Sequence, residues 1–229
     1  MTVRTVLTWP DPGLKKVATP VEEIDAEIIN IAQDMRDTMC VEFGAGLAAT
    51  QVGLSHSVVV LKSSFHTDPS LRNDPIVDDC IVLVNPSIET LDEKIFRWSE
   101  SCLSVPGIEE TVERHCNIRL TYTDLTKISH TIEINNELAG LVQHEVDHLL
   151  GKLFIDRLKR AHRRRALNTL GASIHSANLT RLKEERRLKR EEKDPEESKP
   201  GFRSKVTLKS VQRRKVAKNF GKNKRRRKK

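Results

Sequence analysis

The spacing of apolar residues changes along this chain, and the changes mark its elements. Over about Val21 to Cys40, Ile24, Ile28, Ile31, Met35 and Met39 recur three and four residues apart, with Glu23, Glu27, Asp34 and Asp37 elsewhere. That spacing predicts one amphipathic helix. Residues 1–20 precede it as an extended arm, because Pro10, Pro12 and Pro20 bar a helix interior. Further on, the runs Ser57–Lys62, Ile81–Asn85, Asn117–Asp124 and Thr131–Ile134 are rich in β-branched residues and are bounded by Gly, Pro, Asn and Asp. They read as strands. Ile118, Leu120 and Tyr122 alternate with Arg119, Thr121 and Thr123, the pattern of a sheet with one solvated face. A second helix is predicted over about Glu137–Leu150, and the apolar stretch Lys152–Arg157 closes the body.

Beyond residue 157 the pattern thins. Residues 158–190 fit a charged helix whose apolar stripe is only Leu167, Leu170 and Ile174. Glu191–Gly201 has a linker composition. Residues 202–229 hold 14 Lys+Arg and no acid, too polar to bury a core, and are expected to be disordered when free. The expected organisation is a catalytic domain over 1–157, a charged helix over 158–190, and a linker with a basic tail over 191–229.

Charge sharpens that division. The 229 residues carry a net +8, but residues 1–156 hold 12 Lys+Arg against 25 Asp+Glu, a net −13. Residues 157–229 hold 28 against 7, a net +21. An acidic body with a basic extension points to an anionic partner for the extension. No apolar run approaches the roughly 20 residues of a membrane span. No secretory signal or acid-free transit segment is visible at the N-terminus, since Pro10 and Asp11 interrupt it. Cys40, Cys80, Cys102 and Cys116 are widely spaced without a CxxC pair, which favours free thiols in a reducing compartment.

One motif carries chemistry by itself. His144-Glu145-Val146-Asp147-His148 is an HExxH, and on a helix positions i and i+4 share a face. Both imidazoles then reach one ion, and Glu145 stands beside it as a candidate general base. Such a motif also arises by chance on soluble helices. A catalytic centre usually takes a third protein ligand. A metzincin would have His where Phe154 stands, and a thermolysin-like peptidase needs a downstream Glu, of which Glu184 and Glu185 are the first. The third source is upstream, Cys102 within Trp98–Pro106; an isolated Cys is otherwise most often a small buried side chain.

Three segments taken together resemble the peptide deformylases, the metalloenzymes that remove the N-formyl group from nascent peptides. The family motifs GxGxAAxQ, EGCLS and QHExDH are matched in order by Gly44–Gln51, Glu100–Ser104 and Gln143–His148. The similarity spans roughly residues 4–157. It implies that Cys102, His144 and His148 bind one divalent metal ion, Fe²⁺ natively, with Zn²⁺, Ni²⁺ and Co²⁺ as alternatives. It makes Glu145 the general base, and the Leu103 backbone N–H and the Gln51 side-chain amide the donors to the oxyanion. Gly44, Ala45 and Gly46 would lie against the peptide, and Ala45, Trp98, Gly140 and Leu141 would surround its first side chain, a methionine. Gln143 and Asp147 would orient backbone or a ligand histidine.

Two positions depart from the family pattern. Ser101 replaces the usual Gly before the cysteine, and Glu109 and Glu110 stand where many bacterial members place an Arg near the peptide path. The implied partners are formylated nascent peptides and, through the basic extension, the ribosome and its RNA, with no membrane; the implied compartment is the cytoplasm, with an organelle left open. The expected fold is α+β, short and mostly antiparallel strands around a central HExxH helix, with a second helix near the N-terminus. Two rival functions are a thermolysin-like metallopeptidase, which needs neither Gln51 nor Cys102, and an RNA-binding protein with a structural metal, which needs a fourth protein ligand.

Overall fold

Asp25 sets the start of helix α1 (Ala26–Val41), because its carboxylate accepts the backbone N–H groups of Glu27 and Ile28. These are orphan donors of the first turn, and an Asp at this position satisfies them. The helix therefore begins five residues later than its apolar spacing predicts. Val21 is held instead by Asn85, whose side-chain amide accepts from the Val21 N–H and donates to its carbonyl, both at 2.8 Å. The computed structural model describes residues 2–65, 71 and 73–193. The basic run 202–229 and nearly all of the expected linker lie outside the described residues.

Seven strands follow α1: β1 (Gly46–Ala48), β2 (Val58–Lys62), β3 (Cys80–Thr90), β4 (Ile95–Cys102), β5 (Val105–His115), β6 (Asn117–Thr123) and β7 (Ser129–Asn135). Helices α2 (Asn136–Leu149) and α3 (Arg160–Lys193) complete the described chain. All strand pairings are antiparallel. One five-stranded sheet runs in the order β1-β2-β3-β6-β7, and β4 and β5 form a separate hairpin.

Continuous apolar runs mark the strands buried on both faces. Val58 and Val60 of β2, with Val82 and Val84 of β3, pack with Ile28, Ile31, Met35 and Met39 of α1. The alternate residues Val59, Leu61, Ile81 and Leu83 pack with Ala139, Val142 and Leu149 of α2. The centre of the sheet thus lies between the two helices. In β6 the predicted alternation holds: Ile118, Leu120 and Tyr122 are buried, and Thr121 is exposed. β3 runs five residues past its expected end at Asn85. Its ladder slips between Val84 and Ser87, and Pro86 sits in that irregularity, where no ladder N–H is required.

Helix α2 stops against the N-terminal arm. Gly151 follows it at φ +67°, and a Cβ there would meet the Lys15 carbonyl oxygen at 2.5 Å. Its N–H closes the last turn on the His148 carbonyl. α3 begins within the first of two compact units, which ends at Ser173. There Ala166 and Leu170 are buried with Leu14, Val105 and Phe154, and Leu167 packs against them. In the second unit, from Ile174, the helix exposes Leu179, Leu182 and Leu188 and carries the ion pairs Arg181–Glu185 and Arg187–Glu184.

Gly151→Ala forces a side chain into both a left-handed backbone and the Lys15 carbonyl. We expect a loss of about 1–3 kcal/mol, read as a lower urea midpoint at unchanged slope.

Candidate active site

Cys102 is the last residue of β4 and faces Val105 across the two-residue turn Leu103–Ser104. The ladder slips between Ser101 and Cys102, so the thiol leaves the regular alternation of the hairpin. α2 brings His144 and His148 to the same place from consecutive turns. Cys102 Sγ lies 3.3 Å from His148 Nε2, and His148 Nε2 lies 3.2 Å from His144 Nε2. All three ligand atoms fall within 4.8 Å of one another. Tetrahedral bonds of about 2.0–2.3 Å put ligand atoms roughly 3.3–3.6 Å apart. The donor set therefore fits one divalent ion of the borderline class.

Glu145 completes the group. It is 3% exposed, and among the described residues its Oε2 is buried without a hydrogen-bond partner. Burial pushes its carboxyl up to about 7. Its side chain lies across Gly46, where a Cβ would meet Glu145 Oε1 at 2.6 Å. Only a residue without a side chain allows this approach. Gln51 approaches from the short 3-10 turn after β1. Its Oε1 accepts the Ala48 N–H at 2.8 Å, which turns Nε2 toward Cys102 Sγ at 3.6 Å and Ser104 Oγ at 3.2 Å. That places an amide donor at the cluster.

Beneath the cluster lies a buried ionic network. Glu100 Oε2 is 2.8 Å from His144 Nδ1. Arg114 donates to Glu100 through Nε at 2.7 Å and Nη2 at 2.9 Å, and through Nη1 to Asp147. Arg157 caps the far side of Asp147. The Arg114 side chain is completely buried. Burial alone would raise the Glu100 carboxyl, but hydrogen bonds from Arg114 and His144 outweigh it and hold it at about 2. Glu100 thus stays ionised and fixes the tilt of the His144 ring.

The site opens into a cleft of about 750 Å³ between residues 42–46 and the β4–β5 hairpin. Gly44, Ala45, Trp98, Leu103 and Leu141 line it, together with Gly46, Gln51, Cys102, His144 and Glu145. Gly140 does not line it: it is buried on α2, where a Cβ would meet Trp98 Cε2 at 2.8 Å and Phe96 Cζ at 2.9 Å. His148 lies deeper, 1% exposed. Gln143 donates to the His115 and Ala139 carbonyls and accepts the His115 N–H, which fastens α2 to the end of β5. The Asp147 side chain binds Arg114 and Arg157, and among the described residues it has no hydrogen bond to His144 or His148. Ser101 is exposed on the cleft and does not take a positive φ, so the replacement of Gly costs no backbone strain. The sequence reading passed over Glu100 as a ligand-orienting residue and over Arg114 entirely. Neither stands out in the sequence, because β4 and β5 show no clear apolar alternation against which a buried charge could be noticed.

Comparison with known proteins identifies the family of the chain. The family described as polypeptide deformylase matches residues 3–164. A peptide deformylase from Cellvibrio japonicus is 40% identical over 170 residues, covering 74% of this chain and 95% of the relative. One from Saccharophagus degradans is 41% identical over 165 residues, covering 72% and 90%. Among solved structures, a peptide deformylase from Legionella pneumophila superposes with a TM-score of 0.67 at 33% identity, covering 77% of this chain and 98% of its own. One from Ehrlichia chaffeensis, in complex with actinonin, gives 0.66 at 29% identity, covering 76% and 98%.

Arg114→Met leaves Glu100 and Asp147 buried without their shared cation. Loss of one partner from a buried pair typically costs about 3–5 kcal/mol. We expect a loss of that size in urea unfolding, whereas Arg97→Met, which removes the exposed pair with Glu113, should cost under about 1 kcal/mol.

Proposed function

The chain belongs to the polypeptide deformylase family and is a hydrolase that removes the N-formyl group from nascent peptides; from that premise we propose the part each residue plays. Cys102, His144 and His148 hold one divalent ion, Fe²⁺ in the cell, which Zn²⁺, Ni²⁺ or Co²⁺ can replace. That ion supplies a Lewis acid and a water acidic enough to attack at neutral pH. Glu145 takes the proton of the attacking water and passes it to the departing amine nitrogen. Its raised carboxyl suits both halves of that transfer. The Gln51 side-chain amide and the Leu103 backbone N–H donate to the oxyanion that forms on the formyl carbon. The bond broken is formyl C–N, and the products are formate and a peptide with a free N-terminus.

The remaining contacts orient the substrate. Gly44, Ala45 and Gly46 lie along the peptide backbone. Ala45, Trp98, Gly140 and Leu141 shape the pocket of the first side chain, with Gly140 acting by admitting Trp98. The reading rests on one observation above the others: a buried Glu145 Oε2 with no hydrogen-bond partner among the described residues, beside a Cys/His/His triad whose separations suit a tetrahedral ion.

We assign catalysis to residues 1–157. The charged helix and the basic tail serve contact with the ribosome, where formylated chains emerge, in the cytoplasm. Supporting this, residues 202–229 carry 14 Lys+Arg and no acid, a composition that binds RNA phosphates through salt-dependent charge neutralisation. No helix of the described residues is long and apolar enough to cross a membrane.

Formate release from a formyl-Met-Ala-Ser peptide, measured on anaerobic Fe²⁺-loaded protein, tests the assignment. Glu145→Gln should lower kcat by about 10²–10⁴-fold with metal content unchanged. Cys102→Ala should lose the metal on dialysis. A Cys102→Ala protein that keeps both metal and rate would point to a peptidase-like centre instead.

A further inference from the structure

The indole of Trp98 makes a contact that the deformylase reading leaves without a role. Trp98 and Glu100 stand two residues apart on β4, so their side chains share one face of the hairpin. Trp98 Nε1 donates to Glu100 Oε1 at 2.8 Å. The same oxygen accepts Arg114 Nε at 2.7 Å, and Oε2 meets Arg114 Nη2 at 2.9 Å and His144 Nδ1 at 2.8 Å. One carboxylate thus joins the indole to His144. The indole end of this link is half-buried and lines the cleft, whereas Arg114 is buried beneath it.

The edge of the ring that donates is also fixed against α2. A Cβ on Gly140 would meet Trp98 Cε2, the carbon bonded to Nε1, at 2.8 Å and Cζ2 at 3.0 Å. Only glycine leaves room there. Phe96 packs against the indole from the same strand, with ring centroids 6.2 Å apart and planes at 38°. Gly140 and His144 are one helical turn apart on α2 and share a face. Four residues therefore form a frame. Trp98 and Glu100 on β4 meet Gly140 and His144 on α2, through a packing contact at one end and a hydrogen bond at the other. A half-buried indole N–H seeks some acceptor in any protein. Here the acceptor is the carboxylate that fixes the tilt of the His144 ring, and groups in that position tune a metal site nearly as strongly as its ligands do.

Resting on the deformylase reading, we propose that Trp98 is a positioning residue for the hydrolysis: its indole N–H helps hold the Glu100 carboxylate that orients His144. The wall of the cleft and the metal-binding face of α2 then share one anchor. In this role Trp98 acts through Glu100, apart from the apolar surface it offers to the first side chain.

The test replaces Trp98 with benzothienylalanine, whose ring is nearly isosteric with indole and lacks the N–H, in the full-length protein loaded with Co²⁺. The visible d–d bands of the cobalt report ligand geometry without any substrate. We expect the variant to bind Co²⁺ to the same stoichiometry as the wild type, with shifted bands. In formate release from formyl-Met-Ala-Ser, kcat should fall about tenfold while KM stays within about twofold. 7-Azatryptophan at the same position keeps the N–H and should restore both readouts. Trp98→Phe, which needs no analogue, should shift the bands in the same way and also raise KM, because the smaller ring widens the cleft. Bands and kcat unchanged by benzothienylalanine would overturn this proposal, make Trp98 a packing residue only, and leave the deformylase reading intact. No formate from the wild type would overturn both.

Discussion

The active site depends on a single buried cation. Arg114 takes both oxygens of Glu100 and one of Asp147, and its side chain has no access to water. Without it Glu100 would lose its guanidinium partner and Asp147 would keep only Arg157, and burial drives a carboxyl without a cation toward its neutral form. With Arg114 in place, Glu100 stays ionised and can hold His144 through Nδ1, leaving Nε2 directed at the cluster. Asp147 lies on α2 between the two histidines in sequence, so the same guanidinium ties the helix that carries His144 and His148 to the hairpin that carries Cys102.

The rest of the fold serves that junction from the other side. The five-stranded sheet is covered by α1 on one face and α2 on the other, and α2 is buried along most of its length. Such a helix has no freedom to rotate, so its two imidazoles keep one face and Glu145 stays beside them. Gly46 and Gln51 come from the edge of the same sheet, β1 and the turn after it. The close approach of Gly46 to Glu145, and the Ala48 N–H on Gln51, fix the Glu145 carboxylate and the Gln51 amide relative to the strands. Preorganisation of this kind is what electrostatic catalysis requires.

How much of this could be read in the sequence follows from where polar residues are buried. α1, β2, β6, β7 and α2 were legible because their inward positions are apolar, as with Ile28, Val60, Leu120, Ile134 and Val142. β4 and β5 were not. Their inward positions include Glu100 and Arg114, so the ion pair that organises the site erased the alternation that would have revealed the strands. β1, three residues long, was too short to show a period. His144, Glu145 and His148 stood out through helical spacing alone. Cys102 could be distinguished from an ordinary buried thiol only through its resemblance to a family motif, because a ligand from another element leaves no spacing signal. Arg114 carried no signal of any kind, being one Arg in a strand rich in Glu. For Ser101 in place of Gly, the sequence left open whether the position needs only room or a positive φ, and it takes no positive φ.

Whether Cys102, His144 and His148 close on one ion, with Glu100 and Arg114 setting the geometry, can be read by X-ray absorption on protein loaded with Zn²⁺. One sulfur near 2.3 Å and two or three nitrogen or oxygen neighbours near 2.0–2.1 Å are expected, with the sulfur shell lost in Cys102→Ala. A spectrum without sulfur in the wild-type protein would contradict it.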